Sequence, residues 1–174
     1  MIKRLKTLAA IFGIVAIDQI VKWKVLFLLL HPESPEFVWD GISPVQISHV
    51  TNFFNILFTW NPGTAFSFLR DFGVGAPLIM IIATGIIIAL VAYYLFARAK
   101  CYERVPLVLI LGGAVGNFID RLRFGAVVDF LDFHVGAWHW PVFNVADVFI
   151  TVGVLLYILN WWLARRRCLK NIKG

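Results

Sequence analysis

GGAVGNFIDRLRFGAVVDFLDFHVGAWHWPVFNVAD, running from Gly112 to Asp147, decides how the chain is read. It holds four of the ten carboxylates, Asp120, Asp129, Asp132 and Asp147, with apolar runs long enough for a bilayer on both sides. Carboxylates at the mouth of a membrane-embedded bundle are costly to place there and need a reason.

Outward from that stretch, composition sets the class. Of 174 residues, 60% are hydrophobic and only 15% charged, and the mean hydropathy is +0.82. A soluble domain is about 45–50% apolar and about 25% charged, so the chain is read as an integral membrane protein. The net charge of +6 does not point to nucleic acid, because the cations sit in short clusters beside apolar runs and not along a solvated face. Cys101 and Cys168 both fall in those basic clusters, which predicts a reduced, cytoplasmic setting and no disulfide.

Four apolar runs, about 8–30, 74–96, 105–121 and 145–163, predict a four-helix membrane bundle in one domain spanning 1–174. The first run follows Lys3, Arg4 and Lys6 as a signal peptide would. It lacks a small-residue cleavage site and is long enough to span, so it is read as a retained helix. Residues 31–72 carry prolines at 32, 35, 44 and 62 and a β-branched, aromatic stretch from Val45 to Trp60, which predicts short strands between the first two helices. The fold class is therefore all-α membrane protein with a small β element. Residues 122–144 are read as a loop with interfacial Trp138 and Trp140. Gly112 and Gly116 form GxxxG, with Gly113 adding to a small face that permits close helix contact. The N-terminus, the 98–104 connection and the C-terminal tail carry 3, 3 and 5 of the 16 Lys and Arg residues. This places both termini in the cytoplasm and segments 31–72 and 122–144 outside.

Such a topology brings Asp18, Asp120, Asp129 and Asp147 towards one plane near the outer surface. Two carboxylates about 3 Å apart share one proton. The ionised partner takes a proton from water and the protonated one polarises a carbonyl, which hydrolyses an amide without a metal. Asp129 in VVDF and Asp147 in NVADVF are the best candidates. Plainer readings stand beside this one. Asp147 could be a first-turn helix acid with Asn144 as N-cap, and Asp120 could pair with Arg121. Asp129 and Asp132, at i and i+3, could face solvent. Asp18 and Lys22, at i and i+4, could neutralise each other within the membrane. His31, His49, His134 and His139 lack metal-ligand spacing, so no metal or other cofactor is expected. A small proton-coupled transporter or channel subunit, with Asp18, Asp120 and Asp147 as an ion path, is the alternative class; it predicts acids spread through the membrane depth.

Five blocks in order carry a resemblance over nearly the whole chain: DQIVK (Asp18–Lys22), NPGTAF (Asn61–Phe66), GNFIDR (Gly116–Arg121), VVDF (Val127–Phe130) and FNVAD (Phe143–Asp147). Together they resemble the bacterial lipoprotein signal peptidase family, signal peptidase II; Thr64 departs from it, standing where a small apolar residue is expected. The resemblance implies a monomeric aspartyl endopeptidase of the cytoplasmic (inner) membrane. It would cut prolipoproteins just before a cysteine bearing diacylglycerol, near the outer leaflet and among membrane lipid. It implies Asp129 and Asp147 as the catalytic dyad, Asn61, Gly63, Asn117, Asp120, Arg121 and Asn144 lining the site, and Asp18 and Lys22 in support. The segment from Phe53 to Phe68 would cover the site as a cradle or lid and exclude water.

Overall fold

The computed structural model describes residues 2–30, 45–63 and 75–173. Thr64, Phe66 and the far end of the expected cover lie outside the described residues. Among the described residues eight elements follow in order: α1 (Ile2–Leu30), β1 (Val45–Thr51), β2 (Phe54–Asn61), α2 (Gly75–Ala97), α3 (Cys101–Phe124), β3 (Val127–Val135), β4 (Trp138–His139) and α4 (Val145–Lys173). The chain is mostly helical, with one small antiparallel sheet in the order β1-β2-β3-β4.

Among the described residues, three helices are long and apolar enough to cross a membrane: Leu78–Ala97, Cys101–Phe124 and Val145–Arg166. Of these, α3 is the central one. Half of its apolar stretch is buried, against 6% for α2 and 11% for α4. Its glycines explain the closeness. A Cβ on Gly112 would come within 2.7 Å of Ile14 on α1, and one on Gly113 would overlap the Ala146 carbonyl oxygen on α4. A Cβ on Gly116 would lie 2.5 Å from an Asp18 carboxylate oxygen. The small face therefore serves two neighbours, α1 and α4, and lets Asp18 reach across α3. Leu95, Leu107 and Leu111 form the apolar centre between α2 and α3, with Ile11 and Tyr157 packed on it.

The stretch 122–144, expected as a loop, instead supplies half of the sheet. Gly125, in the left-handed region at φ 74°, closes α3 by donating its N–H to the Arg121 carbonyl at 2.9 Å. The chain then turns directly into β3, where Val127, Val128, Asp129 and Phe130 are all buried. A buried strand reads as a continuous apolar run, not an alternation, and the short run around Asp129 gives no period to recognise. Val128 and Phe130 pack with Phe58 of β2 and Val25 of α1, so the sheet rests on the first helix. Beyond the β3–β4 hairpin, Phe143 bonds back to β3: Leu131 N–H donates to its carbonyl at 2.8 Å, and its own N–H donates to Leu131 at 3.2 Å. That pairing sets Asn144, at the mouth of α4, beside Asp129.

Candidate active site

Asp18, Asp120, Asp129 and Asp132 are all at most 1% exposed. They fall into clusters with different chemistry.

The first cluster surrounds Lys22, itself 2% exposed. An ammonium has three donors, and all three are used. Nζ lies 2.9 Å from Asp18 Oδ2, 2.7 Å from Asp120 Oδ2 and 2.9 Å from Asn117 Oδ1. Asp120 therefore pairs with Lys22 on α1 and not with its sequence neighbour Arg121, whose Nη1 donates to the Asn117 carbonyl at 3.4 Å. The acids have further partners. Asp18 Oδ1 accepts the Ala146 N–H at 2.9 Å, so a side chain from α1 caps an orphan donor in the first turn of α4. Asp120 Oδ2 accepts the Val128 N–H at 3.3 Å and thereby fixes where β3 begins. Gln19 spans both acids, donating at 3.2 Å to Asp18 and 2.9 Å to Asp120. A buried ion cluster survives only when such bonds satisfy its remaining lone pairs.

The second cluster holds Asp129 and Asp147. Asn144 joins them. Its Nδ2 donates to Asp129 Oδ1 at 2.6 Å, and its backbone N–H donates to Asp147 Oδ2 at 3.2 Å. In return Asn144 Oδ1 accepts the Asp147 N–H at 3.0 Å, the reciprocal pattern of a capping box. Asn144 as N-cap and Asp147 as first-turn acid are therefore both realised, in the same residues that bring the two carboxylates together. The other oxygens are held by amides as well: Asn61 Nδ2 donates to Asp129 Oδ2 at 2.8 Å, and Asn117 Nδ2 to Asp147 Oδ1 at 2.8 Å. Gly63 orients Asn61. Its N–H donates to Asn61 Oδ1 at 2.8 Å, and its φ of 107° favours glycine. Asn117 touches both clusters. Lys22 can only donate, so Asn117 must turn its oxygen to Lys22 and to Asn144 (3.1 Å) and its amide nitrogen to Asp147.

Among the described residues no cation stands within ion-pair distance of Asp129 or Asp147. Burial, reinforced by the nearby Asp147, pushes the Asp129 carboxyl up to about 7 against the pull of Asn61 and Asn144. Asp132, three residues along the same strand, goes the other way. Burial opposes its ionisation too, but His139 Nδ1 at 2.8 Å and Asn55 Nδ2 at 3.0 Å outweigh it and hold the carboxyl below its usual value. One of two adjacent carboxyls that keeps its proton near neutrality can donate to a carbonyl while the other accepts a proton from water.

The sequence did not single out Gln19, Asn55 or the Asp132–His139 pair as site neighbours. Gln19 carried a faint signal as a polar residue beside Asp18 in an apolar run. The other contacts depend on sheet register, Asn55 opposite Asp132 and His134 opposite His139.

A family model described as "Signal peptidase (SPase) II" matches residues 10–163. The lipoprotein signal peptidase of Paraburkholderia phytofirmans is 44% identical over 138 residues, covering 78% of this chain and 80% of that one. The lipoprotein signal peptidase of Burkholderia mallei (strain SAVP1) is 53% identical over 114 residues, covering 64% and 68%. A solved structure titled "Bacterial membrane enzyme structure by the in meso method at 1.9 A resolution" superposes with a TM-score of 0.67 at 28% identity, covering 88% of this chain and 90% of that one.

Proposed function

We propose that this chain, which belongs to the signal peptidase II family of membrane aspartic endopeptidases, removes signal peptides from diacylglyceryl-modified prolipoproteins by cutting before the lipidated cysteine, with Asp129 and Asp147 as its dyad. The observation that carries the dyad is the Asn144 bridge, which ties both carboxylates to one residue at the start of α4. In this mechanism Asp147, in the first turn of α4 at the positive end of the helix dipole, takes a proton from a water whose oxygen attacks the scissile carbonyl carbon. Asp129 donates its proton to the carbonyl oxygen. The tetrahedral intermediate collapses as Asp147 passes its proton to the leaving nitrogen, the C–N bond breaks, and Asp129 takes back a proton from the hydroxyl that becomes the new carbonyl, so both acids return to their starting states.

The remaining residues take supporting parts. Asn61, positioned by Gly63, and Asn144 hold Asp129; Asn117 holds Asp147. Arg121 offers guanidinium donors to a substrate carbonyl or headgroup. Asp18, Lys22 and Asp120 lock α1, α3 and α4 into the register the dyad needs. With Asp18 and Lys22 paired to each other, and Lys22 shared with Asp120, α1 serves as a fourth span. The basic termini and the 98–104 connection then lie in the cytoplasm, and the sheet and dyad lie near the outer leaflet, the depth at which a diacylglyceryl cysteine is anchored. A monomer suffices, because one chain contributes both acids.

Cleavage of a diacylglyceryl prolipoprotein by purified protein in detergent tests this. Wild type, Asp129→Asn and Asp147→Asn are compared, with unlipidated substrate and a chelator as controls. Activity that needs the lipid, survives chelator and vanishes in both variants is expected. A folded variant that keeps near-wild-type activity removes the dyad.

A further inference from the structure

One side chain from each strand joins a polar chain that crosses the whole sheet. His49 of β1 stands opposite Asn55 of β2, and Asn55 opposite Asp132 of β3. His139 of β4 is opposite His134 and so lies diagonally across from Asp132. The contacts follow that order. His49 Nδ1 lies 2.7 Å from Asn55 Oδ1, Asn55 Nδ2 donates to Asp132 Oδ2 at 3.0 Å, and His139 Nδ1 lies 2.8 Å from Asp132 Oδ1. Asn55 and Asp132 are buried, and both histidines are exposed.

Each bond fixes the direction of the next. An ionised carboxylate can only accept, so Asn55 turns its amide nitrogen to Asp132 and its oxygen to His49. Each histidine must then carry a proton on Nδ1. Donors thus converge on Asp132 from both sides. Asp132 is three residues from Asp129, an odd step, and faces the other side of β3. It reaches the dyad through the backbone and not by contact.

What the chain holds is a register. The ladder runs from Asn55 opposite Asp132 and Ile56 opposite Leu131 to Thr59 opposite Asp129. There β2 advances three residues while β3 advances two, which makes a one-residue bulge beside Asp129. Beyond it Asn61, opposite Val127, reaches diagonally to Asp129 at 2.8 Å. An Asn-to-Asp bond therefore pins β2 to β3 on each side of the bulge. Without the Asn55 pin β2 is free to slip by the extra residue, and a one-residue slip turns side chains to the other face.

We propose that Asp132 is a positioning residue for Asp129: by accepting from Asn55 and His139 at once, it holds β2 in the bulged register that aims Asn61 at the proposed catalytic acid. The proposal rests on the reading of Asp129 as a member of the dyad. The titratable groups facing Asp132 are His139 and His134, whose rings stack at 5.0 Å. From β2 comes neutral Asn55, with His49 of β1 behind it. From α3, which also packs on β3, comes Asp120, committed to Lys22 and to the Val128 N–H near the start of the strand.

The test exploits the direction of the bonds. Asp132→Asn keeps the shape but offers one acceptor and one donor. The chain then closes only if one histidine presents a bare Nδ1; if both are doubly protonated, two donors face each other. Histidine side chains change charge between about pH 5 and pH 8. The kcat of Asp132→Asn on a diacylglyceryl prolipoprotein is divided by that of wild type at each pH, which removes the loss expected from Asp129 itself. This ratio is expected to fall by about two- to tenfold from about pH 8 to about pH 5, the size of one hydrogen bond, with the KM ratio unchanged. Adding His139→Phe removes the opposing donor and makes the ratio flat. A ratio for Asp132→Asn that does not change with pH, a change confined to KM, or a fall in Tm with kcat unchanged overturns the proposal. Should Asp132→Asn not fold, Asn55→Ala decides: kcat falls while KM holds, and an unchanged kcat overturns it. Lipid-dependent cleavage by wild type and its loss in Asp129→Asn show separately that the dyad reading holds.

Discussion

The two acid clusters lie within one side chain of each other, and they are built on opposite terms. Around Lys22 the carboxylates meet a cation at 2.7 and 2.9 Å. Around Asn144 they meet neutral amides, with no cation among the described residues in ion-pair range. A buried acid that bonds an ammonium becomes structure, because removing either partner strands the other's charge. Asp129, held by amides, is pushed up to about 7 by burial and can exchange a proton near neutrality. Asp132 offers a further contrast within one strand: bonded to His139 and Asn55, it goes below its usual value, while Asp129 rises to about 7. Position is given in both cases by hydrogen bonds; one cluster is built around a cation and the other around amides.

The widest separation between the clusters is expected from the dyad variants. Asp129→Asn and Asp147→Asn should lower the single-turnover rate by roughly 10²–10⁴-fold with little loss of thermal stability in detergent. Next, Lys22→Met strands two buried carboxylates. Removing one partner of a buried ion pair costs about 3–5 kcal/mol, so a clear drop in Tm should accompany any loss of activity. A Lys22→Met protein as stable as wild type would collapse the distinction between the clusters.

Asn117 is where the distinction is thinnest, since it bonds Lys22, Asn144 and Asp147. Asn117→Leu should affect both readouts, lowering kcat about tenfold and stability by about 1–3 kcal/mol; a change in Tm alone would show that the amide does not serve Asp147.

The pH dependences are the smallest and sharpest test. In the proposed mechanism activity needs the proton on Asp129, so at temperatures well below Tm it should fall as pH rises through about 7. Stability follows the same group. The folded protein keeps a proton on Asp129 that the unfolded chain releases near pH 4, so this contribution is present below that pH and is lost as pH rises through about 7. Asp129→Asn lacks the term, and its Tm relative to wild type should therefore climb between pH 5 and pH 8. A flat difference would mean that Asp129 is not raised.

Much was legible in the chain alone. Residue composition marks a membrane protein because apolar runs and clustered cations are properties of sequence, independent of packing. The same holds for the glycine face of α3, for Asn144 and Asp147 at a helix start, and for the five ordered blocks that resemble signal peptidase II. What only the tertiary structure decided is which acid meets which donor. Asp120 turned from Arg121 to Lys22 because Gly116 lets α1 approach α3 closely enough for Asp18 and Lys22 to reach it. Asp129 came to lie on a buried strand, not in a loop, because Phe143 pairs with Leu131 and draws the chain before α4 onto β3. These contacts join residues far apart in sequence, set by sheet register and helix separation, and a one-dimensional pattern carries neither.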